Sequence, residues 1–183
     1  VIFTSDNGAV LNPDALKSNH RPNGVLLGQK TDGWEAGHRV PLLARWPGRI
    51  PAGSERKAMF TQVDFMATIA EAAGVTMPEG ASPDGASELN AFTSPERAPV
   101  KRTEAVFLGT GGSVLRQGDW LYIPKQGSMG MTVRIPPGPQ WGVPYARLGL
   151  TNSDVTADGK IKPDAPQAQL YNLKNDMPQH TNV

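Results

Sequence analysis

The sequence predicts an α/β fold with a small antiparallel β-subdomain, and three patterns support this. Residues 1–3 are β-branched or aromatic with no polar face, as in a strand buried inside a parallel sheet. Residues 62–73 repeat apolar side chains at three- and four-residue spacing, which predicts a helix. Short apolar runs between residues 105 and 123, separated by glycine-containing turns, predict an antiparallel meander.

The first 98 residues contain the strand and helix signals of the α/β part. Residues 40–47 predict a strand whose prolines place it at a sheet edge or near a strand end. In the helix, Thr61 and Asp64 have the spacing of a capping box, and Gly74 suits the position after the last turn. We expect one apolar stripe of this helix to pack in the core: Val63, Met66, Ile69, Ala70 and Ala73.

The second half reads as a small antiparallel subdomain. Strands are predicted at 105–109, 113–116, 119–123 and 169–173, after a surface connection at 77–98. Residues 127–166 are rich in Gly and Pro and predict a long irregular loop, in which Trp141 and Tyr145 could stack on sugars or simply pack the loop down. We therefore assign residues 1–98 to the α/β domain and 99–183 to the subdomain.

Composition narrows the function classes. The net charge of +1 gives no field suited to nucleic acid or to an anionic membrane surface. No apolar run reaches the roughly 18 residues needed to span a bilayer. The absence of cysteine excludes disulfides and thiolate metal sites from these residues. The 20 glycines and 17 prolines among 183 residues predict extensive irregular structure.

The most informative motif follows the first strand, where Asp6 and Asn7 stand side by side before Gly8. Two hard oxygen donors at the end of a buried strand suit Ca²⁺ or Mg²⁺. An Asx-type turn that closes the strand explains the same three residues. A second motif is Lys30, which lies among glycines; its ammonium suits the oxygens of an anion, or it is a solvated surface lysine.

Together the motifs resemble the sulfatase family of the alkaline-phosphatase-like superfamily, and the match runs in order along nearly the whole chain. The matching residues are 3–8, Lys30, Trp34-Glu35, Gly37, Arg39-Val40-Pro41, Trp46-Pro47-Gly48, Ile50, Asp64 to Thr68, Asp84-Gly85, Leu170 to Leu173 and Asp176.

The resemblance implies an α/β sulfatase sandwich and a hydrolase of sulfate esters, with carbohydrates as expected substrates. It implies that Asp6 and Asn7 bind Ca²⁺ (Mg²⁺ is possible), that Lys30 contacts the sulfate, and that His20 approaches the substrate. The nucleophile of the family is a formylglycine, made from Cys or Ser in a (Cys/Ser)-x-Pro-x-Arg motif. The family also implies a periplasmic or secreted location.

Some family features differ or are missing. Leu27, Ala36 and Gln179 stand where many relatives have Arg, Gly and an acidic residue. Residues 93–97 mimic the modification motif, but a threonine at its first position would oxidise to a ketone, so we expect a surface loop. Because the other metal carboxylates and the modification motif are not in the sequence, we expect a C-terminal portion of a larger protein, inactive alone. A phosphoesterase of the same superfamily and a non-catalytic relative remain alternatives.

Overall fold

The computed structural model describes residues 1–12, 14, 17–94, 96, 99, 101–130 and 149–183. The elements follow the chain as β1 (Ile2–Thr4), α1 (Glu35–His38), β2 (Leu42–Ala44), α2 (Asp64–Ala73), α3 (Leu89–Thr93), β3 (Glu104–Gly109), β4 (Gly112–Gln117), β5 (Trp120–Ile123) and β6 (Gln169–Asn172). They belong to two compact units: residues 1–6 with 41–105, and residues 7–40 with 106–183.

The predicted domain boundary does not follow this division. The chain passes from one compact unit to the other after residues 6, 40 and 105, and residues 7–40 belong with the four-stranded sheet. The assignment of 1–98 to a catalytic domain and 99–183 to a subdomain stays a prediction. Among the described residues no helix is long and apolar enough to cross a membrane.

In the first unit, β1 and β2 form a two-stranded antiparallel sheet in which Phe3 lies opposite Leu43. A strand therefore forms where predicted, but its placement inside a parallel sheet is wrong. Val1 is 92% exposed and Phe3 is 63% exposed. Among the described strands β1 pairs with β2, and this edge-to-edge pairing leaves the faces of both strands uncovered.

Helix α2 begins two residues later than predicted and ends as predicted, with Gly74 in the left-handed region at φ +68°. The predicted packing face is wrong. Val63, Met66 and Ile69 are each about half exposed, whereas the buried face carries Asp64, Ala67 and Thr68. Hydrophobic periodicity identified the helix, but it did not identify the side that is buried.

Hydrogen bonds explain why a polar face is buried. The Asp64 carboxylate accepts two hydrogen bonds from Arg102, at 2.8 and 2.5 Å, and one from the Ala86 N–H at 3.0 Å. It also accepts from the N–H and the hydroxyl of Thr61, whereas the N-cap of α2 is Val63, which makes no side-chain cap hydrogen bond. Burial raises the pKa of Asp64, but these donors outweigh it and hold the pKa below its usual value.

In the second unit, β3 to β6 form a four-stranded sheet in sequence order. The antiparallel pairs β4–β5 and β5–β6 confirm the predicted meander and its last strand. The inward side chains of this sheet form the core with the segment that precedes α1: Leu11, Leu27, Trp34, Val114, Leu121, Ile123, Tyr171 and Leu173. Residues 27–38 therefore pack against this sheet through Leu27 and Trp34.

The predicted irregular loop at 127–166 is described in part. Residues 127–130 and 149–166 contain turns and one isolated bridge between Val155 and Ile161. Trp141 and Tyr145 lie outside the described residues, and so do Pro95 and Arg97 of the motif-like segment. Thr93, the first residue of that segment, ends α3 and donates its hydroxyl to the Leu89 carbonyl at 3.2 Å.

Candidate functional site

The segment that follows Asn7 lies directly against α1. The Gly8 N–H donates to the Gly37 carbonyl at 3.0 Å. A β-carbon at position 8 would stand 1.6 Å from the Ala36 carbonyl oxygen, so only glycine fits there. The glycine of the Asp-Asn-Gly motif thus allows a close approach of two backbones, beyond any role in a turn.

Asn23 holds the segment that follows Asn7 through two hydrogen bonds with the backbone of Ala9. Its side-chain amide donates to the Ala9 carbonyl at 3.0 Å, and its Oδ1 accepts the Ala9 N–H at 3.1 Å. This reciprocal pair satisfies both backbone groups of Ala9, as a neighbouring strand would. The same amide is 3.4 Å from the Gly28 carbonyl, which lies two residues before Lys30.

Lys30 is fixed to the same segment through its backbone. Its N–H donates to the Ala9 carbonyl at 3.1 Å, and the residue is half-buried. The preceding residue, Gln29, is fully buried and accepts the Leu11 N–H at 3.1 Å through Oε1. The structure therefore brings the predicted sulfate-contacting lysine beside the segment that Asn7 opens.

Three hydrogen bonds attach the following residues to later parts of the second unit. The Gly33 N–H donates to the Ser128 carbonyl at 2.6 Å, and the Trp34 indole N–H donates to Gln169 Oε1 at 3.0 Å. The Glu35 N–H donates to Gln179 Oε1 at 2.7 Å. Gln179, which departs from the acidic residue common in the family, thus satisfies a donor at the start of α1.

The side chain of Glu35 is a buried ionic centre. It is 1% exposed, and its carboxylate accepts from Arg39 Nε at 2.5 Å and from Arg116 Nη1 at 3.3 Å. Arg39 follows α1, whereas Arg116 belongs to β4, so one carboxylate joins the helix to the sheet. Two guanidinium groups compensate the desolvation that an isolated buried carboxylate would suffer.

His38 packs beside this centre. Its ring meets Phe107 edge-on at 4.2 Å between centroids, and its Nε2 is 3.8 Å from Glu35 Oε1. Neither ring nitrogen makes a hydrogen bond to the described residues, so packing holds the ring in place. Burial lowers the pKa of His38 to about 4; Glu35 opposes this shift, and Arg39 and Arg116 add to it.

We expect His38 to make the protein sensitive to acid. The folded state binds this proton only near pH 4, whereas the unfolded chain binds it near pH 6.5, so stability is complete above pH 6.5 and falls as the pH drops. The full loss is up to about 3 kcal/mol in the free energy of unfolding. Urea titrations from pH 7 to pH 4 should show a shallower decline for His38→Leu than for the wild type; parallel declines would contradict the assignment.

The other predicted site residues lie as follows. Asp6 is exposed and is the last residue of the first unit's opening segment, and Asn7 is half-buried and begins the second unit. His20 is exposed, ahead of the turn that contains Asn23. Within the described ranges no group of three or more His, Asp or Glu is arranged to hold a metal ion.

Sequence reasoning did not predict that a set of polar side chains holds this region together: Asn23, Gln29, Asp32, Glu35 and Gln179. Four of them are at most 3% exposed, and Asn23 is half-buried. A usable signal was present, because Gln29, Asp32 and Glu35 lie within a glycine-rich block, where close backbone approach leaves polar groups to be satisfied inside. Their partners are up to 144 residues away, as between Glu35 and Gln179, and no local pattern shows such pairs.

Known proteins match this chain in sequence. The sulfatase family model matches residues 1–75. An N-acetylgalactosamine-6-O-sulfatase of Bacteroides thetaiotaomicron is 31% identical over 129 residues, which is 67% of this chain and 25% of that protein. An arylsulfatase G of Rattus norvegicus is 41% identical over 152 residues, which is 78% of this chain and 24% of that protein. This chain belongs to the sulfatase family.

The fold comparison gives the same result. A solved structure described under the metabolism of multiple glycosaminoglycans by Bacteroides thetaiotaomicron matches with a TM-score of 0.71 and 26% identity. The match covers 100% of this chain and 34% of that one. The predicted α/β sulfatase fold is therefore confirmed, and the sulfatase chain here spans about a quarter of the length of the curated relatives given above.

Proposed function

We propose that this chain supplies part of the active site of a sulfatase that hydrolyses sulfate esters of carbohydrates. The observation that carries the proposal is the placement of Lys30: its backbone N–H is bonded to Ala9, two residues after Asn7, in a chain of the sulfatase family. The name of the Bacteroides thetaiotaomicron relative, an N-acetylgalactosamine-6-O-sulfatase, supports a sulfated sugar as substrate.

We propose that Lys30 contacts the sulfate group of the substrate. An ammonium offers three donors and a compact positive charge, which can neutralise charge on sulfuryl oxygens as the ester bond breaks. Its backbone is already fixed by Ala9, so little reorganisation is needed when the substrate arrives. His20 is proposed as a further substrate contact, because it is exposed and an imidazole N–H can donate a hydrogen bond to a sugar or leaving-group oxygen.

Asp6 and Asn7 are proposed as ligands of Ca²⁺, with Mg²⁺ as the alternative. A carboxylate and a carboxamide are the hard oxygen donors that these ions take, and so the donor chemistry fits. Ca²⁺ takes about 6 to 8 oxygen ligands, so these two residues form part of a set. When bound, the ion would supply positive charge that can stabilise negative charge developing on the sulfate ester. The proposed nucleophile is the formylglycine of the family, and the proposed location of the enzyme is periplasmic or secreted.

The test is sulfate release by the full-length gene product. We expect it to hydrolyse 4-nitrophenyl sulfate and a 6-O-sulfated N-acetylhexosamine, to lose activity after treatment with EDTA, and to recover it with added Ca²⁺. Faster hydrolysis of 4-nitrophenyl phosphate would favour the phosphoesterase alternative instead. Absence of turnover on all three esters would favour a non-catalytic relative, and activity indifferent to EDTA would refute the metal assignment.

A further inference from the structure

Lys30 and the next residue, Thr31, are the two central residues of a four-residue turn that is closed twice. The Asp32 N–H donates to the Gln29 carbonyl at 3.0 Å, and the Gln29 N–H donates to Asp32 Oδ2 at 3.0 Å. Both end residues are buried, Gln29 at 0% and Asp32 at 3% exposure. The two ends of the turn are thus fixed in the interior, and Lys30 lies at the half-buried tip of the turn.

The tip of the turn has an unusual backbone conformation. Thr31 has φ +77°, a region that β-branched residues rarely occupy. Such a conformation persists where the surroundings over-determine it, and it concentrates at functional sites. Here the Thr31 carbonyl accepts the Thr110 N–H at 3.2 Å. A β-carbon at position 130 would come within 2.5 Å of that carbonyl and 2.2 Å of Asp32 Oδ1, so glycine backbone closes over the turn.

We propose that Asp32 is a positioning residue for Lys30. Its carboxylate accepts the Gln29 N–H and so fixes the conformation of the turn. The fixed turn sets the direction in which the Lys30 side chain extends from the backbone. A flexible four-carbon side chain reaches an anion reproducibly only if its origin is fixed, and misplacement by about 1 Å can cost 10²-fold in rate. The proposal rests on the proposed function, because it assigns to Asp32 the orientation of the group that contacts sulfate.

The positioning role predicts that the effect of removing the Asp32 carboxylate depends on whether Lys30 is present. If the carboxylate acts through the lysine, removing it matters while Lys30 is present and matters little once the lysine is gone. If it only supports the fold, the effect is the same in both backgrounds. A double-mutant cycle of Asp32→Ala and Lys30→Ala therefore separates the two roles.

The cycle is measured in the full-length gene product in two ways: the dissociation constant for inorganic sulfate, and kcat/KM on 4-nitrophenyl sulfate. We expect Asp32→Ala alone to weaken sulfate binding and kcat/KM by about 10- to 100-fold. In the Lys30→Ala background it should change either quantity by less than about threefold. Asp32→Asn, which keeps an oxygen acceptor for the Gln29 N–H, should restore most of the loss.

Asp154→Ala is the matched control, because Asp154 is a carboxylate that is 6% exposed and bonds to Ser153 and Asn182. It should lower the melting temperature and leave sulfate affinity unchanged. Equal effects of Asp32→Ala with and without Lys30 would overturn the positioning role. Sulfate binding needs no turnover, so the cycle still decides the role of Asp32 if ester hydrolysis, and with it the proposed function, fails.

Discussion

Replacing Lys30 by alanine is expected to lower kcat/KM for sulfate esters by about 10²- to 10³-fold, the usual effect of losing one donor aimed at developing charge. The fold should survive, because the contact that holds this residue is the bond from its backbone N–H to Ala9, which alanine also makes. Circular dichroism and the melting temperature of the variant should therefore match the wild type while hydrolysis falls.

Two further variants sharpen this test. Lys30→Arg keeps the positive charge but replaces a compact ammonium by a wide planar guanidinium on a longer side chain, so it should recover only part of the activity. Lys160→Ala removes a lysine whose side chain is 71% exposed and paired with Asp158, and it should leave kcat/KM unchanged. A Lys30→Ala enzyme with wild-type efficiency would refute the contact with sulfate.

Replacing Asp6 by alanine is expected to abolish both bound metal and turnover. A charged carboxylate is the strongest ligand that these residues offer to Ca²⁺, and the alanine side chain contributes no oxygen in its place. The position is exposed, so we expect the loss of stability in the metal-free protein to be small. Metal content by atomic emission after desalting, read together with sulfate release, checks the prediction.

The matched variants for this position differ in charge and in location. Asp6→Asn keeps an oxygen donor but removes the charge, so its activity should depend on higher added Ca²⁺ than the wild type needs. Asp14→Ala removes an exposed carboxylate that pairs with Lys17, and its metal content should equal that of the wild type. Full metal retention in Asp6→Ala would end the assignment of Asp6 as a ligand.

Sequence alone predicted the positions of most regular elements. The four strands of the second unit and helix α2 with its glycine end follow from local preferences: alternation between turns, apolar periodicity, and an αL position that favours glycine. These are properties of short segments, so a single sequence contains them. The family resemblance depended on the ordered motifs, and the comparisons bear it out.

Which faces become buried was not predictable in the same way. The strand β1 and the apolar stripe of α2 both read as buried and are exposed, whereas Asp64 and Glu35 are charged and almost inaccessible. A charged side chain is buried when partners of opposite charge surround it. For Asp64 that partner is Arg102, and for Glu35 one of the two is Arg116, and neither position shows in the neighbouring sequence.

The sequence by itself determined the family, the principal strands and the helix α2, and the residue types that can meet a cation or an anionic ester. Only the tertiary structure decided how Lys30 is held: on a doubly closed turn, bonded to Ala9, with the residues that follow it anchored to the sheet through Trp34 and Glu35. The physical reason is that side-chain chemistry is local, whereas the satisfaction of buried polar groups depends on partners that folding brings from distant parts of the chain.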